Sequence, residues 1–406
     1  MKRRSQTWLA LIVVAVGLIP AALLGLFAYM FATATPLHPD PNGIQSVTQS
    51  DPSRQFDDAV GRGRQIMRTA LTEQNLPGLS VAVGVSGEIV WAEGFGWADL
   101  ENQEPVAPDT RFRIGTASKV LTSAGAGLLL EKGRLNLEQK IQTYVPEFPE
   151  KQWPVTLGQL MGHLAGVSND SGDESPLYAQ HCERPVEGLK PFMDSPLLFE
   201  PGTQYRYSNY GWILVSAAVE AAADEPFFTF MRKQVFEPLG MDDTRADSAT
   251  DPIADRATPY FPRFAADTRY GLHLMRPIDN SCYGGAGAFL STPSDLVRFG
   301  LAIQGGKLLQ PATVQLLQRS QRLRSGEETG YGLGWDLETI ALAGRQTRVV
   351  GHDGESLGGM VASLVVVPEP GLVIAVMSNI SYADTFTIAS NVARAFAEQA
   401  GSPTPR

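Results

Sequence analysis

The chain has 406 residues, 43% of them hydrophobic and 19% charged, and carries a formal net charge of -10 at pH 7. That length suits two domains or one large one, and the apolar-to-charged balance excludes a generally disordered chain. The acidic charge, with no basic stripe along the sequence, argues against a nucleic-acid partner, since phosphate contacts need clustered Lys and Arg.

Lys2, Arg3 and Arg4 precede an uncharged, mostly apolar run from Trp8 to Ala32. At about 1.5 Å per residue such a run spans the roughly 30 Å hydrocarbon core of a bilayer, with the basic residues left in the cytoplasm. A signal peptide competes with this reading. Ala32-Thr33-Ala34 resembles a cleavage site, although secretory apolar cores usually run about 7–15 residues. The sequence therefore predicts residues 1–34 as a membrane anchor or signal peptide, with the rest of the chain extracytoplasmic: periplasmic in a bacterium, or secreted if the segment is cleaved. In that compartment disulfides persist, so Cys182 and Cys282 are candidates for a single bridge, two separate thiols being the alternative. Neither cysteine has metal-like spacing.

From Thr33 to about Arg54 the composition turns to Pro, Asp, Ser, Gln and Asn without a hydrophobic period, which reads as a tether (35–54). Phe56, Val60, Met67 and Leu71 then fall at helical spacings. Leu79 to Gly94 alternates around Ser86-Gly87, a β-hairpin signature. A second such pair, Val361–Val367 and Leu372–Met377, flanks Pro368-Glu369-Pro370-Gly371, and 383–399 reads as a helix. Strands at both ends, with helical stretches at 157–164, 210–223 and 294–304 between them, predict an α/β protein whose one sheet is built from the two termini. The middle is an inserted, mainly helical domain. The main domain is placed at 55–400, its sheet part at about 55–120 plus 340–400 and its helical part at about 121–339.

Three short stretches carry chemistry. In Phe112-Arg113-Ile114-Gly115-Thr116-Ala117-Ser118-Lys119, Thr116 and Lys119 stand three apart at a helix start and can share a face, whereas Ser118 is out of register with Lys119. A hydroxyl there sits beside free backbone N–H groups able to hold an oxyanion. The bland alternative is a capped helix with a solvated lysine. In Tyr205-Arg206-Tyr207-Ser208-Asn209, a phenol and a carboxamide stand two apart; beside an ammonium the phenolate of Tyr207 would be favoured as a base, while Asn209 offers a donor and an acceptor. The alternative is an aromatic helix start capped by Asn209. In Gly351-His352-Asp353-Gly354-Glu355, His352 can orient an acyl group and Gly354 lets a backbone approach. The alternative is a turn between strands.

Taken in this order, the three stretches resemble the serine β-lactamase and penicillin-binding protein superfamily, and more narrowly the class C β-lactamase-related family with its mitochondrial-type branch. The stretches VTLGQLMGH (155–163), VFEPLGM (235–241), GAGAFLSTPSDLVRF (285–299) and YGLGW (331–335) support it. The resemblance implies the β-lactamase/transpeptidase-like fold, an antiparallel sheet flanked by helices. It puts Thr116 at the nucleophile position, Lys119 at the motif lysine, Tyr207 as general base, Asn209, His352 and Gly354 as substrate contacts, and the backbone N–H groups of Thr116 and Glu355 in the oxyanion hole. His163 matches a recurrent histidine of structural character. The expected activity is acyl hydrolysis of a small-molecule or peptide donor through an acyl-enzyme, with no cofactor and no metal. Threonine in place of the usual serine keeps the hydroxyl but adds a methyl that restricts the rotamer. That departure motivates the alternative of a non-catalytic member that binds or self-associates. A zinc hydrolase and an α/β-hydrolase are set aside, because the chain has neither His-Glu-x-x-His nor Gly-x-Ser-x-Gly.

Overall fold

A computed structural model describes residues 20–49, 51–170, 175–247, 255–264, 266–356 and 358–400. The strands are β1 (Ser46–Thr48), β2 (Gly78–Val85), β3 (Glu88–Asp99), β4 (Glu104–Pro105), β5 (Phe112–Arg113), β6 (Arg245–Ala246), β7 (Tyr260–Phe264), β8 (Asp267–Leu274), β9 (Phe289–Ser291), β10 (Asp336–Leu342), β11 (Arg345–Ser356), β12 (Met360–Val367) and β13 (Leu372–Ser378). The main sheet runs β1-β3-β2-β13-β12-β11-β10, antiparallel throughout, with β4 paired to β3. Its centre is the β2–β13 pair, where Ala375 faces Ala82, so the two ends of the chain are joined at the middle of the sheet.

β2, β12 and β13 are buried on both faces, which explains their near-continuous Val, Ile and Ala content. Val81, Val83, Ile374 and Val376 face one core together with Met67 and Leu71 of the Asp57–Glu73 helix and Val392 and Phe396 of the Thr385–Ala400 helix. Ala82, Ala362, Val373 and Ala375 face the other core, with the Pro293–Gln304 helix and the inserted helices. Gly300 shows how close that helix lies, since a Cβ there would come 2.6 Å from Val373. The second core surrounds the Ser118–Glu131 helix, which is buried on nearly every side. A helix apolar all round is a central helix rather than a surface one, and the cleft forms where its first turn meets the sheet.

One expectation needs correction, and a second falls largely outside the described residues. The stretch 35–54 is not a free tether. β1 pairs with β3 through Ser46↔Phe95, and buried His38 sits with Nε2 3.0 and 3.1 Å from the carbonyls of Leu76 and Pro77. Its polar composition concealed this, because pairing to a strand edge uses backbone groups that every residue carries. Of the expected anchor, residues 1–19 lie outside the described residues. Residues 20–32 are helical, with Phe27 and Tyr29 against Tyr270 and Phe264 of the β7–β8 hairpin and Leu23, Leu24 and Phe31 exposed. No helix among the described residues is long and apolar enough to cross a membrane, so the expected membrane-spanning anchor gains no support from the structure.

Candidate active site

Thr116 lies in a 3-10 turn, Gly115–Ala117, immediately before the Ser118–Glu131 helix. It does not cap that helix. The N-cap is Ala117, and Thr116 Oγ1 instead donates to the carbonyl of Asp353 at 3.0 Å. Lys119, one turn on, is fully buried and uses all three of its donors: to Tyr207 Oη (2.8 Å), Asn209 Oδ1 (2.8 Å) and the Ala286 carbonyl (3.2 Å). The bland reading of a solvated lysine is thereby excluded. Ser118 is buried too, and its hydroxyl has no hydrogen-bond partner, which separates it from the lysine network as its register predicts.

The other two stretches converge on this lysine. The Asn209–Ala223 helix is capped by Ser208, whose Oγ accepts from Gly211 N at 3.0 Å, not by Asn209. Freed from capping, Asn209 uses its carboxamide in the cleft: Oδ1 accepts from Lys119 and Nδ2 donates to Asp170 at 3.1 Å. The stretch around His352 is not a turn but the end of β11. Register with β10 stops at Gly351↔Asp336, while pairing with β12 continues through Gly354↔Ala362 to Ser356↔Met360. Beyond Gly351 the outer edge of β11 therefore faces the Thr116 turn. The approach is so close that a Cβ on Gly354 would lie 1.9 Å from the Ile114 carbonyl and 2.5 Å from Ala117 N. Only glycine fits there.

His352 is placed differently from the expected substrate contact. Its side chain is 2% exposed and turned inward, with Nε2 3.1 Å from Tyr331 Oη, Nδ1 bonded to the Asp353 carbonyl, and Asp336 Oδ2 3.6 Å from Nδ1. Tyr331 donating to Nε2 and Nδ1–H donating to the carbonyl satisfy both nitrogens of a neutral imidazole. Burial lowers its pKa, against the raising effect of Asp336. His163 packs its ring 4.3 Å from that of Tyr207 and 4.6 Å from that of Tyr331, and its Nδ1 accepts from Ser208 N at 3.1 Å. Burial and the neighbouring lysine hold it well below the usual histidine range. These rings wall Tyr207 into one orientation.

The electrostatics invert one expectation. Proximity to an ammonium would favour the phenolate of Tyr207, yet burial is the larger effect and pushes its pKa well above the ordinary tyrosine value, opposed by the neighbouring Thr116 hydroxyl. Burial also brings Lys119 down to about 7, with Asp170 and Asp336 opposing. The neutral amine, not the phenolate, is the group poised near neutral pH. Three participants escaped the sequence reading. Tyr331 was legible only as part of YGLGW, whereas Asp336, directly after that stretch, and Asp170 belong to none of the quoted motifs and are brought near Lys119 by the fold. Cys182 and Cys282 are bridged, tying the loop before 185 to the Ser281–Ala286 turn that presents the Ala286 carbonyl to Lys119.

An antiparallel sheet closed by both termini, with a hydroxyl, buried lysine, tyrosine and asparagine gathered at the edge of one strand, defines the β-lactamase-type hydrolase fold. The chain belongs to the beta-lactamase family, whose family model matches residues 64–399. It is 27% identical over 447 residues to the human mitochondrial serine beta-lactamase-like protein LACTB, covering 85% of this chain and 81% of that protein. It is also 27% identical over 287 residues to penicillin-binding protein 4* of Bacillus subtilis, covering 68% of this chain and 62% of that one. Among solved structures, D-amino acid amidase from Ochrobactrum anthropi superposes with a TM-score of 0.72 at 21% identity, over 84% of this chain and 99% of the other. The octameric penicillin-binding protein homologue from Pyrococcus abyssi does so at 0.69 and 23%, over 83% and 77%. These likenesses fix the fold.

Proposed function

We propose that this chain is an acyl hydrolase of the peptidase or esterase type that works through a covalent intermediate on Thr116. The observation that carries the reading is the buried Lys119–Tyr207 pair beside the Thr116 turn, in which an amine brought down to about 7 bonds the phenol at 2.8 Å. Thr116 Oγ attacks the carbonyl carbon as its proton passes to the Tyr207 oxygen and the phenol proton passes to neutral Lys119. The tetrahedral oxyanion is held by the backbone N–H groups of Thr116 and Glu355. Its collapse breaks the bond to the leaving group, which departs with the proton returned through Tyr207; water then enters by the same relay and releases the acid. Gly354 lets the Thr116 turn seat against β11 rather than touching the donor, whose backbone lies along the strand edge beyond Gly351 while Asn209 holds its amide. His352 acts from the second layer, fixing Tyr331 rather than touching substrate. The cleft lies between a sheet part and an inserted helical part.

A second reading is favoured by one observation. Thr116 Oγ1 donates its proton to the Asp353 carbonyl, and its added methyl limits the rotation needed to turn toward Tyr207. On this reading the cleft binds or the chain self-associates, as the octameric homologue does. Hydrolysis of neutral phenyl esters by the wild type and by Thr116→Ala distinguishes the two. Turnover lost in the variant supports the hydrolase; turnover equal in both, or absent from both, supports the second reading. For the N-terminal segment the reading is an extracytoplasmic body held at a membrane, and extraction of the full-length chain by carbonate from a membrane fraction would contradict it.

A further inference from the structure

The exposed apolar surface of the described residues is concentrated in one place. Ten large hydrophobic side chains among them stand exposed, and eight belong together: six on the 20–32 helix, Leu274 on β8, and Tyr382, whose ring lies 5.6 Å from that of Phe261 on β7. The helix is seated on the tip of the β7–β8 hairpin. Phe27 stands 5.9 Å from the ring of Tyr270, Tyr29 stands 6.5 Å from that of Phe264, and Arg263 Nη1 donates to the Thr33 carbonyl at 3.3 Å. At about 100° per residue, Leu23, Leu24, Leu26 and Phe27 point to different sides of the helix, which a single groove on a protein partner would not cover and a hydrocarbon solvent would. The chain leading into it carries no charged residue from Ser5 to Leu37. Its aromatic residues Phe27, Tyr29 and Phe31 fall in the last turns, where the hairpin adds Phe264 and Tyr270, and aromatic clusters of this kind sit at the level of lipid headgroups.

Charge points the same way. The chain as a whole carries -10, yet residues 260–276 contribute Arg263, Arg269 and Arg276 against Asp267 as their one acidic residue. The hairpin is also fixed to the body and reaches the rim of the cleft. Tyr260 N donates to the Asn379 carbonyl at 2.9 Å, Tyr260 Oη accepts from Leu100 N at 2.9 Å, and Tyr382 N donates to Glu355 Oε1 at 3.2 Å. Tyr270 to Leu274 spans about 13 Å at about 3.3 Å per residue, so little distance separates the helix contact from that rim. We propose that the β7–β8 hairpin is a membrane-contact surface: it lays its aromatic side chains and arginines on an anionic headgroup layer beside the 20–32 helix, and so holds the cleft rim at Tyr382 and Glu355 against the bilayer. This rests on the reading of a body held at a membrane. It adds a second contact, which belongs to the folded domain and not to the N-terminal segment.

The test uses the full chain in vesicles of phosphatidylcholine with and without phosphatidylglycerol, with bimane attached at Leu274→Cys or at Glu88→Cys, the native cysteines being bridged. Both positions are exposed, and Glu88 begins β3 roughly 30 Å along the strand from Ala98, whose carbonyl receives Thr258 N near the base of the hairpin. Lipids bearing a nitroxide at the headgroup or upper acyl chain should quench the Leu274 probe by about half or more and leave the Glu88 probe unchanged. Omitting phosphatidylglycerol, or combining Arg269→Glu with Arg276→Glu, should weaken that quenching. Vesicle-bound chain with no quenching at 274, with equal quenching at both positions, or with quenching indifferent to both the anionic lipid and the arginines would overturn the proposal and leave the anchored reading standing. Flotation abolished by high salt, with quenching at 274 present at low salt, would overturn the anchored reading and leave the hairpin contact standing. A chain that never floats with the vesicles would overturn both.

Discussion

The floor and the mouth of the cleft are built on opposite terms. On the floor, Lys119, Tyr331, His163 and His352 are buried, and the donors of Lys119 and both nitrogens of His352 are bonded. At the mouth, Thr116 and Tyr205 meet solvent, and Thr116 Oγ1 spends its proton on a main-chain carbonyl. His163 Nε2 alone among these groups is buried without a partner, and elsewhere on the floor each bonded polar group constrains the others in a low dielectric. Thr116, the nucleophile on the proposed reading, falls at the mouth, where its methyl lies outside that network. The machinery that would move a proton is thus kept intact while the group that would use it is altered.

The largest effect comes from breaking the floor. Lys119→Ala leaves the Tyr207 hydroxyl, Asn209 Oδ1 and Ala286 carbonyl without their shared donor, and should lower the rate of fluorophosphonate labelling by about 10³-fold or more. Retention of the wild-type rate would disprove the relay. Changing the mouth should work in the opposite direction: Thr116→Ser removes the methyl, and the labelling rate is expected to rise by roughly 10- to 100-fold if only crowding limits it. An unchanged, negligible rate in both forms would instead show that the floor no longer serves catalysis.

The pH dependence sharpens the same contrast. With burial holding Lys119 near 7, the labelling rate should climb as pH rises through about 7 and then level, as the amine loses its proton. The stability effect has a defined sign. Between about 7 and the ordinary lysine value the unfolded chain holds a proton that the folded one has released, so stability contributed by this group rises with pH across that window and its cost is greatest below 7. For His163 and His352, lowered by burial, the unfolded chain protonates first as pH falls below 6.5, so stability drops on the acid side. Thermal unfolding from pH 5 to 9 reads both, and a flat profile would count against buried neutral histidines. The smallest effect on chemistry should come from the support furthest from the carbonyl carbon. Cys282→Ser opens a bridge spanning 100 residues and should cost about 2–4 kcal/mol of stability, with a lesser loss of labelling through the Ala286 carbonyl.

Much of this architecture is legible in the sequence, for identifiable reasons. The central hairpins announce themselves because strands buried on both faces read as runs of Val and Ile, as in Met360–Val367, and because Ser86-Gly87 and Pro368–Gly371 mark the turns. Lys119, Tyr207 and Asn209 are found because local spacing at helix starts places them, and three such stretches in one order leave few folds. What was not legible depends on long-range contacts. β10 and the first half of β11 carry a mixed exposure pattern on the open side of the sheet, and β7–β8 is a surface hairpin. Asp170 and Asp336 stand outside the quoted motifs, on a loop and at a strand end, and only the fold brings them near Lys119. The direction of the tyrosine and lysine shifts was likewise hidden, since burial, which decides it, is a property of the folded molecule.

The most direct measurement is peptide mapping of the chain after exposure to a fluorophosphonate, in the wild type, Thr116→Ser and Lys119→Ala. The relay predicts one adduct on residue 116, formed faster with serine and absent without the lysine. An adduct on Ser118, or none on residue 116 in either the wild type or the serine form, would contradict it.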